Sequence, residues 1–313
     1  MTDTQITTPS ILASLSNELA DTVERAGAAV VTIDARRRHP ASGIVWSADG
    51  LIVTANHVVE RDEEIGVAFA DGRTLAAGLV GRDPASDLAL LSVAESDLAT
   101  GGLAPLPHAA EPRVGALSLA LGRPGPSGVM ASLGAVTSVG GPLRFRGGAS
   151  LPRFVRADVA MLPGFSGGPL VDMTGALIGL NSSTLGHSGQ LTVPAASIAA
   201  SIETLLQHGH VRRGYLGIGA QTVHLPQALA DSAGQRHGLL IVSVEESGPA
   251  AAAGLMLGDV LLGIGGEPVE HVEQLQDRLT GDRVGVAVPV RIVRGGEAQD
   301  VPVTIAERRQ QAE

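Results

Sequence analysis

The chain has 313 residues, 41 of them Gly and 18 Pro, and 44% are hydrophobic, enough for about two cores of ordinary domain size. It contains no Cys and no Lys, its 22 basic side chains all being Arg. That excludes disulfides, thiolate nucleophiles, Cys-bound zinc, Schiff bases, Ser–Lys dyads and the P-loop lysine. The net charge is −10, neither half is basic, and aromatics are 2%, so a surface that tracks nucleic acid is not expected.

In chain order, Ile11, Leu15, Leu19 and Val23 recur every four residues and predict a helix from Ser10 to about Ala26, with Gly27 as its stop. Short aliphatic runs follow at Ala28–Ile33, Gly43–Trp46, Gly50–Ala55, Asp87–Val93, Phe154–Met161 and Ala176–Ser182. Turn signals such as Asp49-Gly50, Asp71-Gly72 and Thr174-Gly175 separate them, a pattern of antiparallel barrels or sandwiches rather than a parallel α/β sheet. A second helix is predicted over Pro194–His208, with Ile198, Ile202 and Leu205 on one face and His208-Gly209-His210 ending it. The texture changes near residue 212. Two strand-like runs, a helix around His271–Thr280 and two further β runs to Ile305 make a small mixed α/β domain. The expected division is an N-terminal helical segment over 1–27, a mainly β domain over 28–212, the mixed domain over 213–307, and a tail over 308–313.

No run of 18 apolar residues is present, and the first residues lack a charged n-region followed by an apolar h-region. The expectation is a cytoplasmic chain with no membrane span. A periplasmic or extracellular site remains open if an export signal was trimmed.

The segment Pro163-Gly164-Phe165-Ser166-Gly167-Gly168-Pro169 carries the chemistry. A serine that attacks a carbonyl needs a nearby base and two backbone N–H groups aimed at the developing oxyanion, and flanking glycines let the chain fold tightly enough to supply them. Gly164 and Ser166 are the expected donors. The letters also fit the α/β-hydrolase elbow, but that needs a helix directly after the serine, and Pro169 and a hairpin pattern stand there instead. Upstream, His57 ends a strand in Thr54-Ala55-Asn56-His57, and Asp87 stands at the mouth of the strand that begins at Leu88. The order His57, Asp87, Ser166 is that of a chymotrypsin-like triad. Asp83, before Pro84, is the rival acid.

The stretches Ser47–Val59, Val80–Val93 and Arg156–Ser182 resemble the HtrA (Deg) family of serine proteases, and the resemblance runs from about Leu19 to Ile305. It implies a chymotrypsin-like double β-barrel followed by a PDZ domain, with no cofactor and no metal. It also implies ATP-independent cleavage of unfolded or damaged proteins, and a homotrimer. His57 would be the general base, Asp87 its orienting acid, Ser166 the nucleophile, and the Gly164 and Ser166 amides the oxyanion hole. Three positions depart from the family: Phe165 and Leu162 stand where Asn is usual, in the loop that shapes the specificity pocket, and Gln190 stands in the substrate strand Gly189–Val193. A catalytically weak peptide-binding scaffold or holdase is the alternative that these departures keep open.

In the second domain, Tyr215-Leu216-Gly217-Ile218 resembles the loop with which PDZ domains cradle a peptide C-terminus, and Val272, Leu275 and Leu279 would form the facing helical wall. His208, His210, His224, His237 and His271 have no metal-ligand spacing with acids, so no metal site is expected.

Overall fold

Short aliphatic runs broken by glycine turns satisfy their backbone groups by pairing with neighbours, and in the N-terminal part the sheets close on themselves. The structure is a computed structural model that describes residues 10–37, 39–98, 103–144, 150–185, 190–210, 214–279 and 281–307. It divides into two units, Met1–His210 and Val211–Glu313. Arg38, Gly189, Thr280, the expected boundary at 212–213 and the tail 308–313 lie outside the described residues.

Helix α1 (Ile11–Gly27) starts where Ser10 accepts the Ala13 N–H at 3.2 Å. Gly27 is its last residue but not a left-handed stop, because Ala28 continues in helical conformation. The glycine is needed for close packing instead, since a Cβ there would lie 3.1 Å from Val129. The predicted stripe is covered only in its second half: Leu19 and Val23 are half-buried, whereas Ile11 and Leu15 are 87% and 46% exposed.

Strands β1 (Val30–Asp34), β2 (Ala41–Val45), β3 (Leu51–Ala55), β4 (Ile65–Ala68), β5 (Thr74–Asp83) and β6 (Leu88–Val93) close into a barrel in the order β1-β2-β3-β6-β5-β4. Its filling is aliphatic, with Ile33, Ile44, Ile52, Leu88, Leu90 and Leu91 almost fully buried. Next come β7 (Leu117–Gly122) and β8 (Met130–Gly140), then a small hairpin of β9 (Leu143–Arg144) and β10 (Ser150–Leu151). With β11 (Phe154–Ala157), β12 (Pro169–Val171), β13 (Leu177–Ser182) and β14 (Leu191–Pro194), strands β7 and β8 close a second barrel in the order β11-β14-β13-β12-β7-β8. The expected chymotrypsin-like double barrel is therefore present. Helix α2 (Ala195–His208) buries Ile198, Ile202 and Leu205 and ends at Gly209, whose left-handed φ of 73° lets its N–H reach the Leu205 carbonyl at 2.8 Å.

In the C-terminal unit, β15 (Gly214–Tyr215) leads into β16 (Ile218–His224), α3 (Gln227–Ala233) and β17 (His237–Val244). After α4 (Pro249–Ala252) come β18 (Val260–Ile264), β19 (Glu267–Pro268), α5 (Val272–Arg278), β20 (Ala287–Arg294), β21 (Glu297–Thr304) and β22 (Ala306–Glu307). The main sheet runs β16-β17-β18-β20-β21, β19 joins β18, and β15 pairs with β22. Strand β16 stands at the end of this order, with α5 packed against it.

Candidate active site

The pairing of β3 with β6 sets Ala55 opposite Leu88, so the residues just beyond each strand end meet. His57 sits in the single turn Asn56–Val58 after β3, and Asp87 precedes β6 with a left-handed φ of 54°, rare for a residue other than glycine. Held this way, the buried Asp87 carboxylate accepts the His57 backbone N–H on Oδ1 at 2.9 Å, while Oδ2 lies 2.7 Å from His57 Nδ1. Two hydroxyls from the second barrel also donate to Oδ2, Ser182 at 2.5 Å and Thr184 at 3.0 Å. A carboxylate so placed holds the hydrogen on Nδ1 and leaves Nε2 with a free lone pair. Asp83, the rival acid, is occupied locally, accepting the Ala85 N–H at 3.2 Å and the Ser86 hydroxyl.

The nucleophile segment is two consecutive turns. The first is closed by the Phe165 N–H on the Leu162 carbonyl at 3.0 Å, the second by the Gly168 N–H on the Phe165 carbonyl at 2.9 Å. Each needs a left-handed third residue, and Gly164 (φ 86°) and Gly167 (φ 85°) supply them. Gly167 is further required by space: a Cβ would fall 2.1 Å from the Ser42 carbonyl. Among the described residues the Gly164 and Ser166 N–H groups have no acceptor, which leaves both available to an oxyanion.

Ser42, on β2 of the first barrel, brackets this segment. Its hydroxyl donates to the Gly164 carbonyl at 2.7 Å and accepts the Arg123 N–H at 2.8 Å, and its own N–H reaches the Ser166 carbonyl at 3.2 Å. Thr54 in turn donates to the Ser42 carbonyl at 2.7 Å. Arg123 also donates to the Gly27 and Val30 carbonyls; burial among these groups lowers its pKa from the usual guanidinium value. Ser42, Ser182 and Thr184 carry no motif of their own. A polar Ser182-Ser183-Thr184 run at the end of the apolar β13 is the only trace that sequence offers.

Ser166 is buried, and its Oγ donates to Ser183 Oγ at 2.9 Å and accepts the Ser183 N–H at 3.3 Å. Among the described residues no hydrogen bond joins Ser166 to His57 Nε2. Phe165, in the loop expected to shape the specificity pocket, turns its side chain inward to the second barrel. Its ring is 0% exposed and lies in the second barrel's core with Ala120, Val136, Val155, Leu170 and Ile178. Leu162 and Gln190 are on the surface.

In the C-terminal unit, Gly217 takes a left-handed φ of 76°, and among the described residues the Leu216 and Gly217 N–H groups have no acceptor. Tyr215 is fixed by a hydrogen bond from its hydroxyl to Glu245. Ile218 starts β16, paired with Val244. The Leu216 and Leu275 side chains are 2% and 5% exposed and belong to the core of the unit, so neither presents a side-chain surface to a ligand. For Leu275 this corrects the expected wall: the helix turns that residue inward and leaves Val272 and Leu279 half-buried.

Residues 41–180 match the trypsin-like peptidase domain and residues 214–305 the PDZ domain. The chain is 35% identical over 269 residues to a probable periplasmic serine endoprotease, DegP-like, of Pseudomonas putida (strain W619), covering 84% of this chain and 55% of the relative. It thus spans about half the length of the curated relatives it matches. Among solved structures, the serine endoprotease from Yersinia pestis superposes with a TM-score of 0.76 at 29% identity, covering 97% of this chain and 100% of that one. The HtrA-type protease AlgW with tripeptide gives a TM-score of 0.74 at 30% identity, covering 93% and 98%. Alike in both parts, in their order and in fold, the chain belongs to the HtrA family, a trypsin-like peptidase domain followed by a PDZ domain.

Proposed function

We propose that the protein is a serine endopeptidase that cleaves unfolded or damaged polypeptides without nucleotide hydrolysis. The observation that carries this reading is the Asp87-bound His57 imidazole in the same domain as a Ser166 turn with two unengaged N–H groups. For reaction, Ser166 Oγ turns from Ser183 toward His57 Nε2, gives up its proton there and bonds to the scissile carbonyl carbon. The carbonyl oxygen takes the negative charge beneath the Gly164 and Ser166 N–H groups. His57 then passes the proton to the leaving amine, and water repeats the sequence to release the acyl group. Asp87 stabilises the imidazolium that forms between the two transfers.

The C-terminal unit supplies a second binding function. A peptide C-terminus would add as a strand to the β16 edge, its carboxylate on the amides of Leu216, Gly217 and Ile218, with Val272 and Leu279 opposite. The exposed Ile11, Leu12 and Leu15 of α1 offer an apolar face that other copies would cover, consistent with a homotrimer. The relatives described as periplasmic favour an extracytoplasmic site of action over the cytoplasmic one expected from sequence, and fractionation of the native host decides between them.

Covalent labelling with a fluorophosphonate probe tests nucleophile activation without any knowledge of substrate. The full chain should label at Ser166 and degrade unfolded casein, and Ser166→Ala should lose both while remaining folded. Casein cleavage that survives in Ser166→Ala ends the serine-protease reading. A chain that binds unfolded casein but neither labels nor cleaves is a holdase of the same fold.

A further inference from the structure

Three histidines and a glutamate, drawn from three separate stretches of sequence, converge in the C-terminal unit. His224 ends β16 and His237 begins β17, and the antiparallel register sets them opposite each other. Nδ1 of His224 lies 3.1 Å from Nε2 of His237, the rings edge to face at 4.7 Å. The other nitrogen of His237, Nδ1, faces the loop before α5 and lies 3.2 Å from Glu270 Oε2. The His271 ring is centred 5.4 Å from that of His237. One ligand atom each from His237, Glu270 and His271 lies within 4.8 Å of the others.

The scaffold around these groups is fixed independently of them. Gln235, buried, donates its amide to the His237 carbonyl at 2.8 Å and the Val269 carbonyl at 3.2 Å, joining the strand to the loop. The Gln274 side-chain oxygen accepts the N–H groups of both Glu270 and His271, at 2.6 and 3.3 Å. The backbone that presents the three side chains is thus tied at both ends.

We propose that His237 Nδ1, Glu270 and His271 bind a divalent first-row cation, with zinc the best fit. Two imidazoles and one carboxylate are a borderline-soft donor set suited to zinc, with water in the fourth position. Bonds of about 2.0–2.1 Å in a tetrahedron put neighbouring ligand atoms roughly 3.3–3.4 Å apart, close to the spacing already present between His237 and Glu270. A ligating imidazole commonly passes its other N–H to an acceptor, and His237 Nε2 has His224 Nδ1 placed to receive it. The bound ion ties the shared end of β16 and β17 to the start of α5. Without a metal the same groups would amount to a surface His237–Glu270 ion pair.

The test uses the full, untagged chain stripped with chelator, titrated calorimetrically with zinc and spectroscopically with cobalt(II). The wild type should bind one equivalent tightly, with cobalt bands of tetrahedral intensity. Glu270→Gln and His237→Ala should each weaken binding by about 100-fold or more, beyond the 10–100-fold typical of losing an outer-shell partner. His208→Ala, outside the cluster, should bind as the wild type does. Glu270 is partly exposed, so its variant keeps the fold, verified by an unchanged metal-free unfolding midpoint. Absence of stoichiometric binding by the wild type, or unchanged affinity in both cluster variants, overturns the proposal.

Discussion

Phe165 stands between the two oxyanion donors, and its side chain points away from them into the second barrel. The ring is 0% exposed, and Gly122 makes room for it, since a Cβ there would lie 2.5 Å from the ring. Burying a Phe removes about 150–250 Å² from water, worth roughly 4–6 kcal/mol at 25 cal/mol/Å². Truncation to Ala keeps Cβ but leaves a cavity, and such changes typically cost about 3–5 kcal/mol. For a domain of this size that lowers the thermal midpoint by about 10 °C. The measurement belongs in a Ser166→Ala background, where self-cleavage is absent, with fluorophosphonate labelling rates taken in the Ser166 form. Phe165→Ala should lose both stability and labelling rate. Phe165→Asn restores the residue usual in the family, yet here it should do no better, because its amide would enter an apolar cluster. A loss below about 1 kcal/mol with unchanged labelling would refute the view that the ring anchors the nucleophile turn.

Ser42→Ala strips the Gly164 carbonyl and the Arg123 N–H of their partner; kcat should fall by about 10–100-fold with KM little changed, somewhat less than loss of a whole oxyanion donor. A rise in KM at constant kcat would instead make Ser42 a residue of substrate binding. Amidating the C-terminus of a peptide bound by the C-terminal unit should weaken it by about 10–100-fold, the worth of one charge-assisted hydrogen bond of roughly 1.5–3 kcal/mol; equal affinity would make the Leu216–Ile218 loop purely structural. Asp259 is held below the ordinary carboxylate value of 3.8 first by the hydrogen bonds from Arg294, at 2.8 and 2.7 Å, against desolvation. A depressed folded pKa stabilises above the unfolded value and ceases to do so as pH falls through the folded one. The unfolding midpoint of the C-terminal unit should therefore drop between about pH 5 and pH 2, and Asp259→Asn should flatten that drop.

The double barrel was legible because its strands are short, aliphatic and punctuated by glycine turns, a pattern that leaves few alternatives. Gly164 and Gly167 were legible for a local reason too, since each supplies a left-handed residue to a turn four residues long. Support for the acid was not. Ser182 and Thr184 reach Asp87 across 95 and 97 residues, by virtue of how one barrel lies on the other, and no window of sequence contains that information. The direction of a single side chain was equally hidden. Phe165 stands in a loop expected to shape a pocket and Leu275 on a helix expected to wall a groove, and packing turns both side chains into core.

The histidine cluster is the sharpest case of this limit. A linear metal motif is readable when ligands share one helix or hairpin and their spacing follows its geometry. His224 and His237 are 13 residues apart because α3 is inserted between paired strands, and Glu270 is 33 residues beyond His237 because β18 and β19 intervene. Ladder register brings the first two together, and the Gln235 bridge from β17 to Val269 brings the third. Spacing alone argued against a metal, yet these contacts set His237 and Glu270 at the distance that two ligands of one ion would keep. What points to such a site is strand register and a buried amide, which is why its decisive test is a binding stoichiometry rather than a motif.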